Sequence, residues 1–213
     1  MDQLALFGGR NGAAVTSLSA LREAENACRR CPLYKNATQA VPGEGAKRAT
    51  VMLVGEQPGD KEDLAGKPFV GPAGRLLDRA LAEAGVARDK AFVTNAVKHF
   101  KHEMRGKRRL HKRPNTYEIE RCRWWLEREL AIVRPALVVA LGATAARSLF
   151  GRPMAIGKNR GQQLHLEDGT PAVITIHPSA LLRIEEPADK EREYRAFVAD
   201  LRSAVARLRR HAA

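Results

Sequence analysis

No run of about 18 consecutive apolar residues occurs in the chain, so no membrane-spanning helix is expected. Near its start stands acidic Asp2, where a secretory leader would carry positive charge, and a cytoplasmic protein without membrane attachment is the expectation. Cysteine is scarce. Cys28, Cys31 and Cys122 are too few for a disulfide framework, and the C-x-x-C spacing of the first two points to metal or redox chemistry in a reducing compartment. Acidic side chains are also short, 24 against 37 Lys and Arg, which leaves a formal charge of +13. Such an excess favours polyanionic partners, nucleic acid first among them, with ribosomes, anionic membranes and acidic proteins obeying the same electrostatics. There is no internal repeat. The 213 residues, 44% hydrophobic and 29% charged, suit one domain with one core, and a monomer is the default. Residues 1–12, with Gly8, Gly9 and Gly12, read as a loose N-terminal arm.

Four short segments read as strands: Thr50 to Gly55, Ala91 to Val97, Leu137 to Leu141, and Ala172 to Ile176. Each is nearly continuous in apolar residues, the pattern of strands buried on both faces of a parallel sheet. Helical spacing lies between them. Leu76, Leu77, Ala80, Leu81 and Ala84 form one stripe between Pro72 and Gly85. Ile119, Cys122, Leu126, Leu130 and Val133 form another that ends before Pro135, and Tyr194 to Leu208 form the last. The alternation predicts an α/β fold, a three-layer α/β/α sandwich around a central four-stranded parallel sheet.

Working residues in such folds gather at the carboxyl edges of the strands. Gly55-Glu56-Gln57-Pro58-Gly59, Asn95 to His99, and His177-Pro178-Ser179 are therefore expected to face one crevice, while the third strand offers only Gly142-Ala143-Thr144. The segment GEQPGDKEDLAGKPFVGPAG, Gly55 to Gly74, is dense in glycine and proline, suited to close approach by a flat or anionic ligand; ordinary turns use glycine too. Lys98 to Arg113 carries eight Lys or Arg against one acid, Glu103, and would grip phosphates in a salt-dependent way. A long insertion of this kind between a strand and a helix is uncommon unless it is functional.

These motifs, in this order, resemble uracil-DNA glycosylases of family 4 and the UdgX group. GEQPG with GKPFVGPAGR resembles their motif A, HPSALLR (His177 to Arg183) their second motif, and the likeness runs from about Cys28 to the final helix. The resemblance implies that Phe69 stacks on a flipped uracil, that Asn95 reads its edge, and that Gly55, Gln57 and Asp63 line the same pocket. It implies that His177 stabilises charge developing on the leaving base, and that Glu56 is the catalytic carboxylate. Taken singly, Phe69 also fits a core position, Asn95 a strand-end cap, His177 a turn and Glu56 a solvated loop. The stretch Lys107-Arg108-Arg109-Leu110-His111 resembles the KRRIH loop that marks the UdgX group, with leucine for isoleucine. In that group the loop histidine attacks the sugar C1′ and leaves the protein linked to the abasic site. His111 is the corresponding nucleophile here, Glu56 positions or activates it, and Arg109 supports the loop; a phosphate-contacting histidine in a turnover enzyme is the other reading. Lys107, Arg108, Arg109 and Ser179 are the expected DNA contacts.

Family 4 enzymes hold a [4Fe-4S] cluster on four cysteines, one just after the second strand, where this chain has His99. The expected ligands are therefore Cys28, Cys31, His99 and Cys122, with His102 as rival fourth ligand and Cys3His zinc as the alternative metal. Three functions follow: a glycosylase that excises uracil, preferably from single-stranded DNA, and becomes covalently attached; a multiple-turnover family 4 enzyme with the same pocket; and a non-catalytic metal-containing DNA-binding module.

Overall fold

The computed structural model describes residues 15–211, with side chains to residue 208; the proposed N-terminal arm lies outside the described residues. The chain opens with α1 (Leu18–Asn26), whose N-cap Ser17 accepts the amide of Ala20 at 3.2 Å. After a two-residue strand β1 (Glu44–Gly45) come β2 (Val51–Gly55), α2 (Asp60–Ala65), α3 (Pro72–Glu83) and β3 (Ala91–Asn95). A hairpin of β4 (His102–Arg105) and β5 (Arg108–His111) leads to α4 (Thr116–Val133). The remainder is β6 (Leu137–Leu141), α5 (Ala143–Phe150), α6 (Ile156–Asn159), β7 (Gln163–His165), β8 (Pro171–Thr175), α7 (Pro178–Leu181) and α8 (Pro187–His211).

The main sheet has the order β1-β3-β2-β6-β8-β7. Its four central strands are parallel, as expected, and the short β1 and β7 add antiparallel edges that the apolar runs did not announce. Two or three residues are too few for alternation to show. Every residue of β2, β3 and β6 is buried, because side chains of period two alternate between two covering layers. Val51, Leu53, Val93, Val139 and Leu141 pack with Leu77 and Leu81 of α3 and Phe197 and Leu201 of α8. Met52, Val54, Phe92, Val138 and Ala140 pack with Leu126 and Val133 of α4 and Ala145, Ala146 and Leu149 of α5. This is the three-layer arrangement. Among the described residues no helix is long and apolar enough to cross a membrane.

Two expectations about connections are corrected. The segment after β2 is not all loop, since it winds into α2, where Asp60, Glu62 and Asp63 occupy the first turn and suit the positive helix end. Nor is the basic stretch an open loop: its polar residues pair in register, His102 opposite His111 and Arg105 opposite Arg108, around Gly106 in the left-handed region (φ 59°).

Candidate active site

Parallel register brings the carboxyl ends of β2 and β3 level, with Gly55 directly beside Asn95. A Cβ on Gly55 would strike Asn95 Oδ1 and lie 2.7 Å from Phe69 Cζ, so the missing side chain is what lets an amide and a ring converge there. Phe69 is a non-glycine residue in the left-handed region (φ 59°), a conformation that persists only when its surroundings impose it. Two groups do so. A Cβ on Gly74 would collide with the Phe69 carbonyl, and the half-buried Glu62 carboxylate accepts the Gly59 amide and bonds the amides of Phe69 and Gly71. Burial raises the Glu62 carboxyl above the usual range, those amides opposing it. Nothing in the sequence pattern singles out Glu62, because the short helix α2 that carries it left no periodic trace.

From just beyond the end of β8, the His177 ring stacks toward Phe69 with centroids 6.0 Å apart and planes 29° from parallel. Nδ1 of His177 accepts the backbone amide of Ser179 at 3.1 Å, and the Ser179 hydroxyl lies 2.8 Å from the same nitrogen. That fixes the tautomer, since a nitrogen accepting an N–H cannot carry a proton, and leaves Nε2–H as a donor. Burial, with the charges of Arg183 and His111, pulls the imidazole down to about 4, so it is neutral at physiological pH. Ser179 thus spends its hydroxyl on His177.

Glu56 stands between two elements. Its Oε2 accepts the Thr144 hydroxyl at 2.5 Å, and its Oε1 lies 3.3 Å from Nε2 of His111, at the end of the basic hairpin. Burial, against the opposing pull of Glu56 and with the help of Arg183, holds His111 below the ordinary histidine value. The hairpin is fastened at both ends. Gln57 donates from Nε2 to the carbonyls of Lys101 (3.1 Å) and Lys112 (3.0 Å) and accepts the Lys101 amide, so its side chain is spent on the hairpin base. Near the turn, Arg109 bonds Asp60 and fully buried Asp63, each at 2.6 Å, and Thr38 Oγ1 at 3.1 Å. Asp63 also accepts the Thr38 amide, so the Asp63 carboxylate and the Arg109 guanidinium hold the loop together. Lys107 and Arg108 are exposed and line a shallow groove with Asp60, Leu64 and Leu110.

This geometry can be set beside known proteins. The family model for the uracil DNA glycosylase superfamily matches residues 42–202. The chain belongs to the uracil-DNA glycosylase superfamily. Within it, the chain is 39% identical over 173 residues to a Type-4 uracil-DNA glycosylase of Pyrobaculum aerophilum, covering 78% of this chain and 85% of that one. The namesake of Thermotoga maritima is 39% identical over 158 residues, 73% of this chain and 78% of that one. That of Sulfurisphaera tokodaii is 36% identical over 174 residues, 78% and 76% of the two chains.

The cysteines of this superfamily member lie away from the sheet in a third cluster, where free Cys28, Cys31 and Cys122 are buried with Leu21, Leu33, Val97, Ile119 and Trp125 between α1 and α4. Two sulfurs already accept N–H groups, Cys122 from the Lys98 amide and Cys28 from Trp125 Nε1, both at 3.2 Å. Burial pushes the Cys31 and Cys122 thiols up, so a bound cation is what would make thiolates of them. His99 is also buried, and desolvation with nearby Arg29 pulls it down to about 4, a neutral imidazole with a free lone pair. The donor types suit a thiolate site. As they stand, however, no three His, Cys, Asp or Glu side chains among the described residues form a group that could hold a metal ion, so the expected set of Cys28, Cys31, His99 and Cys122 is not assembled. His102 stacks on Phe100 instead, with centroids 5.0 Å apart.

Lys98 requires a correction. Counted by sequence among the phosphate-gripping cations, it is fully buried, with Nζ donating to Thr94 Oγ1 (2.6 Å), the Asn95 carbonyl (3.0 Å) and Glu129 Oε2 (2.7 Å). Burial disfavours its charge, but Glu129 and Glu25 more than offset this and raise it. Lys98 therefore joins the turn carrying Asn95 to the helical layer, and its amide joins that turn to the cysteine cluster.

Proposed function

We propose that the protein excises uracil from DNA, preferring single strands in which no base pair must be opened, and acts as a cytoplasmic monomer. The observation that carries this reading is the convergence of Phe69, Asn95, Glu56 and a neutral His177 with a free Nε2–H on one crevice. The names of the Type-4 relatives support the substrate. Phe69 stacks on the flipped base, and the Asn95 amide, with Gly55 and the backbone of Gln57 to Asp63, meets its polar edge. As the C1′–N1 bond breaks, its electron pair passes to the base, where the His177 Nε2–H donates to the developing oxyanion at O2. The Glu56 carboxylate faces the positive charge forming on the sugar. In turnover, a water oxygen then bonds to C1′ and gives its proton to Glu56. Lys107 and Arg108 contact phosphates.

A second reading is favoured by the His111–Glu56 contact: the unprotonated nitrogen of His111 bonds to C1′ in place of water, and the ring proton passes to Glu56. This is the reaction of the UdgX group. The relatives carry the names of Type-4 glycosylases and fit the turnover enzyme better. We further propose a [4Fe-4S] cluster on Cys28, Cys31, His99 and Cys122, supported by the three buried free thiols and the N–H groups aimed at two of them; Cys3His zinc is the alternative. Such a group would pin the N-terminal segment and the hairpin base to the sheet.

The test is an end-labelled single-stranded oligonucleotide bearing one uracil, incubated with the protein and divided between denaturing gels and alkali treatment. Alkali-labile product is expected. A slow band that survives heat and SDS and disappears in His111→Ala establishes trapping, alkali-labile product alone establishes turnover, and no base release refutes the glycosylase reading.

A further inference from the structure

The third central strand gives the crevice no obvious chemistry, only Gly142-Ala143-Thr144. Yet Thr144 is 1% exposed at the second position of α5, and its hydroxyl reaches across 88 residues of sequence to Glu56 rather than to nearby backbone. A first-turn threonine ordinarily finds a local partner. Burying this hydroxyl against a carboxylate instead commits one specific oxygen, Oε2, to accepting it. The other, Oε1, then faces Nε2 of His111 at 3.3 Å. Arg113 also lies near Oε2, at 4.0 Å, but its side chain is 68% exposed and solvent screens it, so the buried hydroxyl sets the carboxylate plane.

We propose that Thr144 is the positioning residue for the catalytic carboxylate: its hydroxyl holds the Glu56 rotamer and turns Oε1 toward the reacting sugar and His111. The inference rests on the glycosylase reading of Glu56. Thr144 touches neither base nor sugar in this account, and acts only through the bond it donates. Removing the donor frees the carboxylate to rotate, and misplacement of a reacting group by about 1 Å costs on the order of a hundredfold in rate.

The experiment measures single-turnover uracil release against pH, and affinity for uracil-free single-stranded DNA, for the wild type, Thr144→Val, Thr144→Ser and Glu56→Gln, and for Thr144→Val combined with Glu56→Gln. Thr144→Val keeps the branched shape without the hydroxyl; its rate should fall roughly 10- to 100-fold, while DNA affinity stays within about twofold of wild type. Thr144→Ser should restore the rate, and Thr144→Val should add nothing in the Glu56→Gln background. Rates within twofold of wild type for Thr144→Val at every pH, an equal loss in Thr144→Ser, or an additive loss in the double variant each overturn the proposal. Thr144→Ala serves as a second donor-less variant, and loss of fold in both would make the hydroxyl structural and overturn it too. Absence of uracil release by the wild type is a separate result, which refutes the glycosylase reading itself.

Discussion

Replacing Lys98 with methionine should destabilise the protein more than any surface change in the basic hairpin. The ammonium is fully buried and donates three hydrogen bonds, one to Glu129, itself 1% exposed. Methionine fills similar space but leaves Glu129, among the described residues, with the Thr94 hydroxyl and the Gly43 amide as donors and without the Lys98 charge. Breaking one side of a buried ion pair costs about 3–5 kcal/mol, and the Asn95 carbonyl loses a donor as well, about 1 kcal/mol. For a chain of this length that corresponds to a fall in Tm of roughly 8–24 °C. Glu129→Gln should cost less. Burial holds the Glu25 carboxyl up at about 8, with Lys98 opposing and Glu129 adding to the rise; once the Glu129 charge is gone, Glu25 can ionise and become the partner of Lys98. Among the described residues neither Glu25 carboxylate oxygen has a hydrogen-bond partner, and its charge already acts on Lys98, so it is placed to do so. Combining Lys98→Met with Glu129→Gln removes both charges and should recover much of the loss, a coupling readable from urea midpoints followed by circular dichroism. A Lys98→Met variant within about 1 kcal/mol of wild type, or a double variant no better than the single one, would refute this account of the network.

Two further outcomes are expected. The purified protein should contain iron and acid-labile sulfide in equal amounts, with absorbance near about 400 nm from Fe–S charge transfer; zinc without sulfide would exclude the cluster. Stability should also fall on acidification because of His177. Its folded pKa, about 4, lies below the unfolded value, so the unfolded chain binds the extra proton first, and the contribution is complete above about 6.5 and lost as pH falls toward 4. The loss amounts to at most about 3 kcal/mol, and urea midpoints between pH 7 and 4 for wild type and His177→Gln check it, the variant losing less.

The parallel core was readable because β2, β3 and β6 are buried on both faces, which forces unbroken apolar runs onto the sequence. Edge strands of two or three residues leave no such trace, and neither does a hairpin made of arginine, lysine and histidine. Charge was the least reliable guide. Lys98, Asp63 and Arg109 look alike to composition, yet Lys98 and Asp63 are fully buried and Arg109 is 17% exposed, each tied to a partner far away in sequence. What a charged residue does depends on whether an opposite charge awaits it inside, and a single sequence does not disclose that pairing. Gly55 and Asn95 are brought close because they end adjacent strands; the supports around them, Glu62 for Phe69 and Thr144 for Glu56, come from helical turns with no pattern to mark them.

The manner in which the hairpin is held bears on the choice between turnover and trapping. Glu56 and Gln57 are consecutive, one facing His111 and the other bonding both strand ends of the hairpin, while Arg109 ties its turn to α2 of the same segment. One stretch of chain therefore sets the distance between carboxylate and imidazole, and little freedom remains to be lost when DNA binds. A nucleophile fixed in this way competes with water at effective concentrations of roughly 10⁵–10⁸ M if it reaches the reacting carbon. Water can win only if bound DNA holds C1′ beyond the reach of the ring, or if the ring is protonated. Burial keeps the imidazole below its ordinary pKa and works against the second condition near neutrality. If Lys107 and Arg108 contact phosphates as proposed, the outcome turns on where those contacts seat the sugar relative to the His111 ring held beside Glu56.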